Sequence, residues 1–181
     1  MAPPAPTRRP KLVAFDLDAT LWIPEMYELS GAPFRPDPKA PSSRVVDRAG
    51  EVVSLMGDSR AILKELAVDE AWKDVEVAYV SRTEYPEWAD ACLKLFRVSD
   101  AVTMHALGGQ QEIYPGSKLT HFRRIHERTG IEYEDMLFFD NEMWNIKEVS
   151  RLGVTCVHTP RGMTQNAWRQ GLQQFAANAS K

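Results

Sequence analysis

The chain has 181 residues, with 22 lysines and arginines against 25 aspartates and glutamates and a formal net charge of −3. That length fits one domain with a substantial core, the charge gives no support for binding nucleic acid through a basic surface, and no apolar run approaches the length of a membrane span. The two cysteines, Cys92 and Cys156, have no metal-type spacing, and a reducing, cytoplasmic or nuclear setting is expected.

Residues 1–10 are rich in Ala, Pro and Arg and lack the apolar core of a secretory signal. They read as a disordered tail of extended character, followed by one domain over 11–181. Lys11 to Phe15 form a short apolar run, the pattern of a buried parallel strand over 12–15. It leads into Asp16-Leu17-Asp18-Ala19-Thr20-Leu21-Trp22. Residues 23–57 are proline-rich and include Val45-Val46-Asp47-Arg48-Ala49-Gly50-Glu51-Val52-Val53, which reads as a β-hairpin with Gly50 in the turn. This insertion is too small for a domain of its own and is expected to form a flap beside the site.

Asp58 is placed to cap a helix that carries Ile62, Leu63 and Leu66 on one face. A second strand is predicted over 75–80 and runs into Ser81-Arg82-Thr83. Pro86 suits the first turn of a helix with Trp88, Cys92, Leu95 and Phe96. A third strand is predicted over 101–104. Ser117 is placed to cap a helix bearing Leu119, Phe122 and Ile125, closed by Gly130. A strand over 136–139 runs into Asp140-Asn141-Glu142. Ile146, Val149 and Leu152 lead to Gly153, a last strand covers 154–157, and Trp168, Leu172, Phe175 and Ala176 mark a final amphipathic helix. Strands alternating with helices predict an α/β fold with a parallel sheet.

Open α/β sheets bind ligands at the carboxyl ends of their strands. Asp16 and Asp18 share a face if the chain there is extended, and two such charges repel unless a cation or a proton lies between them. Ser81 and Asp140 end strands at the same edge. Lys118 opens a helix, where a cation opposes the helix dipole. An anion to bind explains it there, since helix N-terminal N–H groups already favour phosphate. Singly, these residues read as a turn hydroxyl, a helix cap and a surface charge. Together they place polar clusters at four matching element ends.

This order of motifs resembles the haloacid-dehalogenase superfamily and, within it, the magnesium-dependent phosphatase-1 family. The likeness rests on residues 16–22, Ser81-Arg82-Thr83, Tyr114-Pro115-Gly116-Ser117-Lys118 and Phe138-Phe139-Asp140-Asn141-Glu142, with Asn145-Ile146 and Gly162-Met163-Thr164 also fitting. It implies a Rossmann-like parallel sheet with flanking helices and no large cap domain. It implies Asp16 as nucleophile and Asp18 as general acid and base. Mg²⁺ is then expected on Asp16, the Asp18 carbonyl and Asp140. Ser81, the Arg82 N–H and Lys118 are expected to neutralise the phosphoryl oxygens. Thr20 would orient the loop. The resemblance implies a phosphorylated small molecule, such as a phosphosugar or aryl phosphate, or a phosphoprotein of the phosphotyrosine type as substrate.

The chain departs from the family at Asn141, where a second acid is usual. A neutral amide is expected to support a metal-bound water and to weaken Mg²⁺ binding. A dehalogenase is a rival reading, which Asp18 opposes, and a non-catalytic scaffold of the same fold is another, which only Asn141 favours. A cysteine phosphatase is excluded because the positions six after Cys92 and Cys156 are Val98 and Gly162. The cysteines, Trp22 and Trp144 are expected mainly in the core, and His105 at a surface loop. Oligomeric state is not encoded in any pattern of the sequence.

Overall fold

The structure is a computed structural model that describes residues 8–178. In chain order the elements are β1 (Leu12–Phe15), β2 (Trp22–Ile23), β3 (Arg35–Pro36), β4 (Arg44–Val46), β5 (Val52–Leu55), α1 (Ser59–Val68), β6 (Glu76–Ser81), α2 (Pro86–Leu95), α3 (Met104–Leu107), β7 (Gln110–Ile113), α4 (Lys118–Thr129), β8 (Met136–Asp140), α5 (Met143–Ser150), β9 (Thr155–His158) and α6 (Gln165–Asn178). Five strands form one parallel sheet in the order β7-β6-β1-β8-β9. Every residue of β1 and β8 is buried, as expected for central strands covered on both faces.

Alternation along these strands sorts the side chains into two cores. Val13, Phe15, Tyr79 and Phe139 pack with α1, α2 and α6, whereas Leu12, Ala14, Val80 and Phe138 pack with α4 and α5. The α6 helix comes close enough that a methyl at Gly171 would lie 2.6 Å from Phe139. Register then fixes the functional edge. Phe15 pairs with Tyr79 on one side and Phe139 on the other, so Asp16, Ser81 and Asp140 end at nearly the same level.

The parallel sheet and flanking helices match the sequence reading, with one strand displaced. Residues 101–104 do not form a sheet strand. Thr103 instead caps α3, its hydroxyl accepting from the Ala106 N–H at 3.1 Å. The remaining strand of the sheet is Gln110–Ile113, whose sequence Gln-Gln-Glu-Ile has a single apolar residue and so lacks the apolar run of the other strands. An edge position explains this: β7 has a strand neighbour on one side only, and Glu112 is held there by Arg128 at 2.9 Å.

The insertion after β1 is a four-stranded antiparallel sheet, β2-β5-β4-β3, rather than a lone hairpin. The β4–β5 hairpin turns through Gly50 at φ +85°, a left-handed conformation that glycine adopts without steric cost. Asp47 locks the base of this turn. Its Oδ1 accepts from the N–H groups of Ala49 and Glu51, both at 2.9 Å, and its Oδ2 from Ser30 at 2.7 Å and Gly31 at 3.2 Å.

Residues 1–7 of the expected tail lie outside the described residues. Arg8 bonds Asp135 at 2.7 Å and covers the Phe175 ring, and Arg9 donates to the Ala71 carbonyl at 2.8 Å. Among the described residues no helix is long and apolar enough to cross a membrane.

Candidate active site

Asp16 follows the last residue of β1, and its N–H continues the ladder to the Phe139 carbonyl at 3.0 Å. The chain then turns rather than continuing extended: the N–H groups of Thr20 and Leu21 both return to the Leu17 carbonyl, at 3.1 and 2.9 Å. Ala19 sits within this turn at φ +61°, a left-handed conformation uncommon for a residue with a side chain. Both Asp16 and Asp18 nonetheless line one cavity of about 530 Å³.

The Asp18 carboxylate is oriented by the flap side of the fold. Trp22 Nε1 donates to its Oδ1 at 2.8 Å and the Met26 N–H to its Oδ2 at 3.1 Å. Burial raises the pKa of Asp18 despite those two donors, which favours keeping a proton on it. The sequence reading put Trp22 in the core. It is fully buried and stacks on Phe96, yet its indole N–H also sets the second acid.

Lys118 is 1% exposed and reaches inward from the first turn of α4. Its Nζ lies 2.7 Å from Asp16 Oδ1 and 2.6 Å from Asp140 Oδ2. Ser117 starts the helix as expected, its Oγ accepting from the Leu119 N–H at 3.1 Å. Burial lowers the pKa of Lys118, but the two carboxylates outweigh burial and hold the lysine charged. Burial pushes Asp16 upward and Lys118 opposes it.

Asp140 ends β8 with both oxygens engaged. Oδ1 accepts from the Glu142 N–H at 2.8 Å, and Oδ2 accepts from Lys118 and from Asn145 Nδ2 at 3.0 Å. It therefore faces the lysine, whereas the sequence reading expected it on the metal. Asn141 approaches the opposite side of Asp16. Its N–H donates to Thr20 Oγ1 at 3.1 Å, and Thr20 donates to Asp16 Oδ2 at 3.1 Å. One terminal atom of the Asn141 amide lies 3.0 Å from Asp16 Oδ2, 3.1 Å from the Asp18 carbonyl and 3.2 Å from Thr20 Oγ1. Thr20, expected to orient the loop, ties Asp16 to Asn141.

Ser81 ends β6, is 2% exposed and lines the cavity with Arg82. The Arg82 guanidinium reaches Asn145 Oδ1 at 3.4 Å, so Asn145 links Arg82 to Asp140. The rim carries residues that sequence reading missed, among them Glu25, Tyr27 and Glu84. Glu25 and Tyr27 come from the turn that follows β2 in the insertion. Glu25 and Glu28 cap that turn reciprocally, a pattern that signals a turn without locating it in space. Trp144 also lines the rim and is 69% exposed, so of the two tryptophans flanking the motifs only Trp22 is core. His105 lies beside Asp90 at 3.5 Å and does not line the cavity. Burial pushes both Cys92 and Cys156 up to about 12, which leaves neither thiol reactive.

Asp16 Oδ2 and the Asp18 carbonyl are hard oxygen donors, which suit a magnesium ion. Among the described residues no group of three or more His, Cys, Asp and Glu is arranged to hold a metal. A cation here would need main-chain or amide oxygens beside Asp16.

The whole described segment, residues 8–178, matches the acid phosphatase family. The chain is 41% identical over 169 residues to human magnesium-dependent phosphatase 1, covering 93% of this chain and 89% of that protein. It is 38% identical over 149 residues to a HAD-like hydrolase superfamily protein of Schizosaccharomyces pombe, covering 81% and 83% of the two chains. In structure it is similar to a HAD-family enzyme of Bacteroides thetaiotaomicron solved as a magnesium complex. The TM-score is 0.57 at 13% identity, over 84% of this chain and 94% of that one.

Proposed function

The chain belongs to the acid phosphatase family, among the magnesium-dependent phosphatases of the haloacid-dehalogenase superfamily, and from that premise we propose that it hydrolyses phosphate monoesters through an aspartyl-phosphate on Asp16. The observation that carries this reading is a single cavity lined by Asp16, Asp18, Ser81 and Lys118. The relatives named for magnesium and phosphatase activity support the metal and the reaction class.

Asp16 Oδ1, the oxygen beside Lys118, attacks phosphorus. The bond from phosphorus to the ester oxygen breaks, and Asp18 gives its proton to the departing oxygen. The resulting aspartyl-phosphate is then hydrolysed. Asp18, now ionised, takes a proton from a water whose oxygen bonds to phosphorus, while the bond from phosphorus to Asp16 breaks. Ser81 and Lys118 balance charge on the phosphoryl oxygens throughout. When bound beside Asp16 Oδ2 and the Asp18 carbonyl, Mg²⁺ supplies further neutralisation of that charge and shields the nucleophile from an anionic substrate.

The substrate is read as an aryl phosphate or a phosphotyrosine-type side chain, with a phosphosugar as the smaller alternative. Tyr27 and Trp144 on the rim favour the aryl class, since an aromatic substrate stacks on such groups. The flap adds no large cap over the cavity, which leaves room for a substrate attached to a protein. Phosphate release from para-nitrophenyl phosphate, with Mg²⁺ and with EDTA, tests the reading. Turnover that needs Mg²⁺ and vanishes in Asp16→Asn is expected. Equal rates in EDTA, or in Asp16→Asn, would sink it.

A further inference from the structure

Lys118 stands where its own helix does not favour it. It opens α4, whose first turn carries no acid, and a cation there opposes the helix dipole. The missing negative charge comes from another helix. Ser117, the residue before Lys118, accepts from the Leu119 N–H at 3.1 Å and gives its own proton to Glu148 Oε1 at 2.7 Å. Glu148 belongs to α5, so a carboxylate from that helix lies at the start of α4, where negative charge is favourable.

Stability alone does not account for Glu148. Its second oxygen, Oε2, is buried and has no hydrogen-bond partner among the described residues. A buried acceptor left unpaired destabilises a fold, and packing alone would be served by an apolar side chain.

The same helix also holds the far end of the lysine. Asn145 lies three residues before Glu148 and shares its face of α5. Its Nδ2 donates to Asp140 Oδ2 at 3.0 Å, and that oxygen lies 2.6 Å from Lys118 Nζ. Lys118 is thus tied to α5 twice, at its backbone through Ser117 and at its ammonium through Asp140. Nζ then stands 2.7 Å from Asp16 Oδ1. Glu148 itself does not line the cavity.

We propose that Glu148 is a positioning residue for phosphoryl transfer: through Ser117 it sets the start of α4 and so aims Lys118 at the attacking oxygen of Asp16. This proposal rests on the phosphatase reading above. A displaced lysine still attracts an anionic substrate, but it no longer meets the charge that develops in the transition state. Loss of Glu148 therefore lowers kcat and leaves KM nearly unchanged.

The test is steady-state turnover of para-nitrophenyl phosphate with MgCl₂, expressed per folded molecule from circular dichroism. Glu148→Ala is expected to lose about 10–100-fold in kcat, the scale of a misplacement near 1 Å, with KM within about threefold. Glu148→Gln keeps an oxygen for the Ser117 hydroxyl and is expected to recover most of that loss. Ser117→Ala is expected to match Glu148→Ala, and the double variant to add little, because both remove one link. A purely structural role would lower the melting temperature and leave kcat per folded molecule at its wild-type value; that result would overturn the proposal. So would fully additive losses, or a Glu148→Gln as slow as Glu148→Ala. If Glu148→Ala does not fold, Ser117→Ala decides, and wild-type kcat in that variant would overturn the proposal equally. A wild-type protein with no turnover would overturn the phosphatase reading itself, and this proposal with it.

Discussion

Lys118 Nζ stands 2.7 Å from Asp16 Oδ1, although 102 residues of chain separate the two. The pair joins the start of α4 to the end of β1 inside the protein. Its lysine is also the neighbour of Asp140 at 2.6 Å. Removing one partner of a buried ion pair typically costs about 3–5 kcal/mol, because the other charge is left uncompensated. Lys118→Met is expected to lose stability of that order in urea denaturation, together with phosphate binding. Adding Asp140→Asn to Lys118→Met removes one stranded charge and is expected to recover part of the stability without restoring turnover.

Asp18→Asn separates proton transfer from the rest of the site. The leaving oxygen of an alkyl phosphate needs a proton, whereas para-nitrophenolate departs readily without one. Loss of general acid catalysis typically costs about 10²–10⁴ in rate. That loss is expected in steady-state kinetics with an alkyl or sugar phosphate, and a smaller one with the nitrophenyl ester. Equal losses with both would contradict a proton-carrying role.

The rim tryptophan makes a prediction about selectivity. Trp144 is 69% exposed, so Trp144→Ala is expected to change stability by no more than about 0.5 kcal/mol. An aromatic contact is worth about 0.5–1.5 kcal/mol, which corresponds to a KM increase of several-fold for aryl phosphates. The KM for a phosphosugar is expected to stay near its wild-type value.

Asp47 gives the pH dependence of the flap. Burial alone would raise this carboxyl, but the N–H groups of Glu51, Ser30 and Ala49 outweigh it and hold it below the ordinary carboxylate range. A pKa lower in the folded than in the unfolded chain adds stability above the unfolded value, about 3.9. That stability is lost as pH falls through the folded value. Asp47→Ala is expected to cost about 2–3 kcal/mol at pH 7, since it strands buried N–H groups. The gap to wild type is expected to narrow below about pH 4 in thermal melts.

Much of the site could be read from the sequence because each residue sits at an element boundary with a local signature. Asp16 and Asp140 end apolar runs, and Lys118 violates the dipole preference of its own helix. What could not be read depends on the third dimension. Asn141 follows Asp140 directly, so no pattern tells which of the two faces Lys118 and which faces Asp16. The β7 strand is polar because it lies at the sheet edge, and its residues look like loop. Glu25 and Tyr27 reach the rim only because the insertion pairs β2 with β5, which brings the following turn back over the strand ends. Arg8 reads as the end of a tail until Asp135 and Phe175 are found beside it.

The most direct measurement is to quench turnover of a ³²P-labelled aryl phosphate in acid within milliseconds and map the labelled peptide. The expected result is an acid-stable, hydroxylamine-sensitive label on Asp16 that requires Mg²⁺ and is absent from Asp16→Asn. A label on any other residue, or turnover by an enzyme that is never labelled, would contradict nucleophilic attack by Asp16.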